Sequence, residues 1–338
     1  MSERLERTTA SRSILPALAA LVMSGCSTPE RAVLRVLPSR TEAEAATQAG
    51  DWKAAAERWY ALFMADPGRP IDACAAASRA FLALKDAESA SHVLDMGLTV
   101  HATDADLLEL KGEALVALGF RRAAEDYFDR ALAVDPRRVS ALVNLGKLRI
   151  DLGLESAAVK PLRRAVEITG GDFQTWRLLA KAERESNNPR GAYESWVRAF
   201  TMGEGSVEDL VEAASLFVDE SFRKAHPESG EQMVHWLRSA IAREPQCARA
   251  HFQLGVLSEE TGQREDAVEH YRRAVEIDPS CLMALTNLAV LYSSLGQEQG
   301  AREMVTRALT LEQDGNRRKA LQKLLDPFDR KSKSGEVP

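Results

Sequence analysis

The chain has 338 residues, 45% of them hydrophobic and 6% aromatic, with a net charge of −6 from 44 basic and 50 acidic side chains. So much apolar material excludes global disorder, and a slight acidic excess argues against nucleic-acid binding, which calls for a basic face. Abundant Ala and Leu beside few aromatics favour helices that approach closely through small side chains. Cys26, Cys74, Cys247 and Cys281 are spaced too widely for CxxC metal or redox motifs and are too few for a disulfide scaffold.

The first predicted element is an address. A polar start carrying Arg4, Arg7 and Arg12 leads into Ile14 to Met23, ten residues without a charge, and then Ser24-Gly25-Cys26. Crossing a hydrocarbon core takes roughly 20 apolar residues, so this stretch is too short to span and fits a cleaved export signal. Met23-Ser24-Gly25-Cys26 resembles the bacterial lipobox, although Met stands where Leu is usual and Glu3 and Glu6 dilute the basic region. The resemblance implies a signal over residues 1–25, lipidation of Cys26 and a linker over residues 26–35. Losing the signal would move the net charge from −6 to −7. Ser27, where inner-membrane retention would use Asp, implies an outer-membrane lipoprotein facing the periplasm.

The rest is a repeat. Ala55, Ala90, Ala124, Ala158, Ala192, Met233, Ala267 and Ala301 stand 35, 34, 34, 34, 41, 34 and 34 residues apart. Four residues after each comes a large apolar side chain: Trp59, Leu94, Phe128, Leu162, Trp196, Leu237, Tyr271 and Val305. Leu254-Gly255, Gly262, Ala267, Tyr271, Ala274 and Pro279 show the pattern in full. A 34-residue period with these features resembles the tetratricopeptide repeat (TPR). The resemblance implies an all-α, right-handed superhelical solenoid of about eight helix-turn-helix units over residues 36–313. Each unit would turn at Gly50, Gly119, Gly153, Gly262 or Gly296, or at Asn187-Asn188-Pro189 in repeat five. Small residues such as Gly112, Gly146 and Gly255 would let paired helices touch, and Asp-Pro at residues 66, 135 and 278 would end second helices.

Departures from the register are predicted too. Ser39-x-x-Glu42 looks like a capping box opening repeat one. The 41-residue interval marks an insertion near residues 219–230, between the two helices of repeat six. Residues 314–327 read as a capping helix and 328–338 as a loose tail.

No Walker loop, HExxH, GxSxG or EF-hand sequence is present, so the chain is not expected to be an enzyme or to hold a cofactor or metal. His251 reads as a core histidine, and His235 and His270 as near-equivalent positions of adjacent second helices, with a surface metal clip as the alternative reading of that pair. Cys247 and Cys281 are equivalent positions of adjacent repeats, too far apart to bridge, and Cys74 is a packing residue. Trp176 and Trp196 both read as core.

By the same resemblance, the first helix of each unit lines a concave groove. Asn144, Lys147, Arg177, Lys181 and Arg184 of repeats four and five would then form an inward basic cluster, opposed by Asp151 and Glu185. Phe252, Gln253, Val256, Met283, Thr286, Asn287 and Val290 of repeats seven and eight would form an apolar floor with amides. These residues are the candidate site for a protein or peptide partner. The function implied is a scaffold of the bacterial cell envelope, for assembly of a pilus, secretion or outer-membrane machine, or else a periplasmic adaptor that recruits and regulates a cell-wall enzyme.

Overall fold

Ser39 opens the first described helix: its hydroxyl accepts from Glu42 N while Glu42 reaches back to the Ser39 amide, closing a capping box at a helix start that would otherwise leave donors unsatisfied. The structure, a computed structural model, describes residues 38–326 apart from residues 67, 204 and 219. The expected signal, Cys26, the linker and the C-terminal tail lie outside the described residues. Two units are distinguished, Met1–Ser186 and Asn187–Pro338.

The first unit is a series of antiparallel helix pairs: α1 (Arg40–Gln48) with α2 (Trp52–Ala65), α3 (Ile71–Ala83) with α4 (Ala87–Leu98), α5 (Ala105–Ala117) with α6 (Arg121–Val134), α7 (Val139–Asp151) with α8 (Glu155–Thr169), then α9 (Phe173–Glu185). The first helices α3, α5, α7 and α9 also touch one another in sequence. The second unit contains α10 (Pro189–Met202), α11 (Val207–Ala214), a 3-10 turn over Ser215–Val218, α12 (Glu220–Ala225), α13 (Ser229–Arg243), α14 (Ala248–Glu260), α15 (Arg264–Ile277), α16 (Leu282–Ser294), α17 (Glu298–Leu311) and α18 (Gly315–Lys323). Among the described residues there is no strand, and no helix is long and apolar enough to cross a membrane.

The repeat register has a steric basis. Ala55, Ala90, Ala124, Ala158, Ala192, Ala267 and Ala301 are all fully buried. Opposite them, a β-carbon on Gly112 would lie 2.5 Å from the Phe128 ring, and one on Gly255 would lie 2.5 Å from the Tyr271 ring. One on Gly146 would collide with Leu162. In these three pairs the large residue four places after the alanine therefore presses onto the glycine of its own partner helix, and the pair can approach only because that glycine has no side chain.

The turn between the two helices needs a left-handed residue. Gly119 and Gly153 supply it at φ 84° and 72°, where glycine carries no Cβ penalty. In repeats two and five the same place is held by Lys85 (φ 60°) and Asn187 (φ 59°), and for lysine that conformation costs roughly 1–2 kcal/mol. Pro161 stands inside α8, where local preference alone would break a helix; its side chain is buried with Ala158, Leu162 and Ala165, so packing overrides the local rule.

The extra residues of repeat six pack onto helices of their own repeat and of repeat five. They form the 3-10 turn and α12, and Phe222 is buried against Tyr193, ring centroids 5.9 Å apart. Tyr193 and Phe200 both lean on Trp236, at 6.0 and 5.1 Å, so an aromatic cluster forms against the helix that carries the buried Met233. At the far end, Leu321 of α18 is buried against the core of repeats seven and eight while most of its other side chains stay exposed.

Candidate partner-binding face

The positions that recur on successive first helices meet across the first unit as one polar ribbon. Arg79 of α3 donates to Asp106 of α5 at 2.6 Å. Arg138, just before α7, donates to Asp106 at 2.5 Å and also pairs with Glu109. Asn144 of α7 donates to Glu113 at 2.9 Å and more weakly to Glu109 at 3.4 Å. Asn144 is thus committed to the neighbouring helix rather than open to the groove, because two carboxylates of α5 stand within reach of its amide. Glu109 is only 4% exposed, and losing one of its partners would strand a buried charge. Burial, with the negative charge of Glu109 as the next cause, pushes the Glu113 carboxyl above the usual carboxylate range.

The basic residues follow on the next two first helices. Lys147 is exposed on α7, and Arg177, Lys181 and Arg184 are half-buried on α9. Arg177 Nε donates to Gln174 at 3.0 Å. Arg184 pairs at 2.6 Å with Glu185, one of the two opposing acids that the sequence pointed to. The face of the first unit therefore runs from carboxylate-rich on α5, through Asn144 and Lys147 on α7, to guanidinium and ammonium groups on α9. Asp106, Glu109 and Glu113 lie on α5, one first helix before the basic positions, and are of the opposite sign. Their spacing on α5 repeats that of Arg177 and Lys181 on α9, so the register alone could have found them.

The second candidate patch divides on inspection. Phe252 is 9% exposed, tilted against Tyr271 at 5.9 Å, and Gln253 is 6% exposed. Both are closed in rather than open as a groove floor, since α14 lies against α11 and the 3-10 turn as well as its own partner α15. The Gln253 Oε1 atom is buried without a hydrogen-bond partner. Val256 is half-buried at the edge of the same core. Asn287 donates to the Tyr271 hydroxyl at 3.2 Å, and that hydroxyl donates to Glu259 at 2.9 Å. Burial raises the Tyr271 hydroxyl far above its ordinary value. What this patch exposes is Met283 (63%) and Val290 (41%).

His270 neighbours His251 of its own helix pair, ring centroids 5.7 Å apart. The His251 Nε2 atom lies 3.3 Å from the Pro245 carbonyl, and Nδ1 is buried without a partner. Among the described residues no group of three His, Cys, Asp or Glu is arranged to hold a metal ion. Cys247 and Cys281 are free and half-buried; Cys74 is free and buried, and its burial pushes the thiol up to about 12. Trp196 is fully buried as expected. Trp176, read from sequence as core, is half-buried instead: its indole donates to the Gly170 carbonyl at 2.8 Å, which keeps one edge at the surface turn.

Tetratricopeptide-repeat family models match residues 109–173, 248–281 and 281–312. Together with the glycine-seated helix pairs, these matches make the chain a tetratricopeptide-repeat protein, an all-α scaffold of a family that binds protein or peptide partners. Among solved structures it is similar to YrrB, described as a TPR protein with an unusual peptide-binding site, with TM-score 0.52, 17% identity, and 58% of this chain and 97% of that one covered. It is similar also to pilF of Pseudomonas aeruginosa, with TM-score 0.51, 15% identity, and 62% and 91% covered. At such identities the likeness concerns the fold. No curated protein matches the sequence.

Proposed function

We propose that this protein is a cell-envelope scaffold that holds a segment of a partner polypeptide across the first-helix face of α7 and α9. The observation that carries the reading is the alignment of Lys147, Arg177, Lys181 and Arg184 on consecutive touching first helices of a chain whose overall charge is negative. A carboxylate-bearing extended segment laid across these helices meets several cations in succession, and charge-assisted hydrogen bonds are about twice as strong as neutral ones. The description of YrrB as peptide-binding supports a polypeptide as the ligand. The envelope location rests on the ten-residue apolar stretch and Met23-Ser24-Gly25-Cys26, with acylation of Cys26 as the membrane tether and the outer membrane as its place. In this reading the scaffold serves assembly of a pilus, secretion or outer-membrane machine. Intact-mass analysis of protein from a bacterial envelope tests the tether: a chain starting at Cys26 with acyl chains supports it, and an unmodified start elsewhere ends it. Photo-crosslinking tests the face. A photoreactive residue at Lys181 should trap a polypeptide that one at the exposed Arg122 on the second helix α6 does not, and equal trapping from both would remove the assignment.

A further inference from the structure

The ribbon across α3, α5 and α7 does not balance. Three carboxylates, Asp106, Glu109 and Glu113, face two guanidiniums, Arg79 and Arg138. Arg79 pairs with Asp106, and Arg138 with both Asp106 and Glu109. Glu113 is half-buried and takes its hydrogen bond from the neutral amide of Asn144. A carboxylate held in that setting beside a second one is short of positive charge. On the same face, one helix further on, the sign reverses at Lys147 and then at Arg177 and Lys181.

We infer that this face selects a bipolar segment: a cationic side chain of the partner seats on Glu113, and carboxylates further along the same extended strand meet Lys147 and then Arg177 and Lys181. The inference rests on the reading of this face as the partner-binding surface and adds the chemistry of the partner. Spacing follows from geometry. Neighbouring packed helices lie about 8–10 Å apart and an extended chain advances about 3.3 Å per residue. The first carboxylate therefore falls roughly three residues from the cation and the second roughly six. A uniformly acidic segment would place a negative charge against Glu113 and Glu109, where like-charge contact costs affinity.

The test uses the full chain and two synthetic extended peptides followed by fluorescence anisotropy. One carries Lys with Glu three and six residues later, and the other has Gln in place of that Lys. The wild type is expected to bind the bipolar peptide about fivefold to tenfold more tightly, a modest factor because the contact is partly solvated. Glu113→Gln, which preserves shape and an acceptor for Asn144, should bring the bipolar peptide down to the affinity of the other. Equal binding of the two peptides by the wild type overturns the inference, as does a preference that survives in Glu113→Gln with unchanged far-UV ellipticity. Failure of the underlying reading looks different: neither peptide binds, or Arg177→Glu with Lys181→Glu weakens neither.

Discussion

Replacing Gly146 by Ala puts the helix-pair packing to its most direct test. The new β-carbon would stand 2.6 Å from Leu162 Cδ2 and 3.0 Å from Cδ1, far inside van der Waals contact. Leu162 is fully buried, so it has no solvent into which to swing. Overpacking of this kind costs about 1–3 kcal/mol. Leu162→Ala alone removes a buried side chain and should cost about 2–5 kcal/mol. In the double variant the methyl at residue 146 enters the space that Leu162 vacated, so the combined loss should fall short of the sum by about 1 kcal/mol or more. Unfolding in urea, followed by far-UV ellipticity and fitted with nearest-neighbour repeat terms, reads the difference. Strictly additive losses, or a Gly146→Ala protein as stable as the wild type, would refute the packing argument.

Other consequences follow from the same geometry. A β-carbon on Gly119 would meet nothing within 4 Å, yet φ is 84° there, so Gly119→Ala should cost about 1 kcal/mol through backbone strain alone. The converse change at the equivalent turn, Lys85→Gly, should raise stability by about 0.5–1 kcal/mol in the same urea assay. Ala158→Leu and Ala192→Leu should each cost about 1–3 kcal/mol, while Met233→Leu, which conserves volume, should stay below about 1.5 kcal/mol; equal losses at all three would contradict the register. Burial holds His251 and His270 below the ordinary imidazole value of 6.5. The unfolded chain then takes up protons more readily than the folded one, and stability must fall as pH drops through 6.5. Asp266, Glu269, Arg238 and Arg273 also act on the pair. The His251→Gln/His270→Gln protein should show a flatter stability profile below that pH, and an unchanged slope would contradict this assignment.

The fold was legible because its determinants are local and periodic. The buried alanines and the large residues four places on can be counted directly in the sequence, and Gly112, Gly146 and Gly255, against which three of those large residues press, fall in the same period. The site was less legible because its contacts join different helices. Nothing local says that Asn144 would be taken up by Glu113 and Glu109, or that His270 would lie against His251. Phe252 and Gln253 occupy expected groove positions, but their burial depends on how α11 and the 3-10 turn lie over α14, which the repeat template does not specify. Lys85 and Pro161 mark the opposite case, where local preference objects and tertiary packing prevails.

The central claim is that a partner polypeptide lies across α7 and α9, and one comparison tests it most directly. Wild type and the Arg177→Glu/Lys181→Glu protein, matched for helicity and melting, are each used to capture polypeptides from bacterial envelope extract at low and high salt, with quantitation by mass spectrometry. The account predicts a defined set of polypeptides held by the wild type, weakened by added salt and lost in the charge-reversed protein. The same set retained by both proteins at the same salt would contradict it and move attention to the apolar residues Met283 and Val290 exposed on α16.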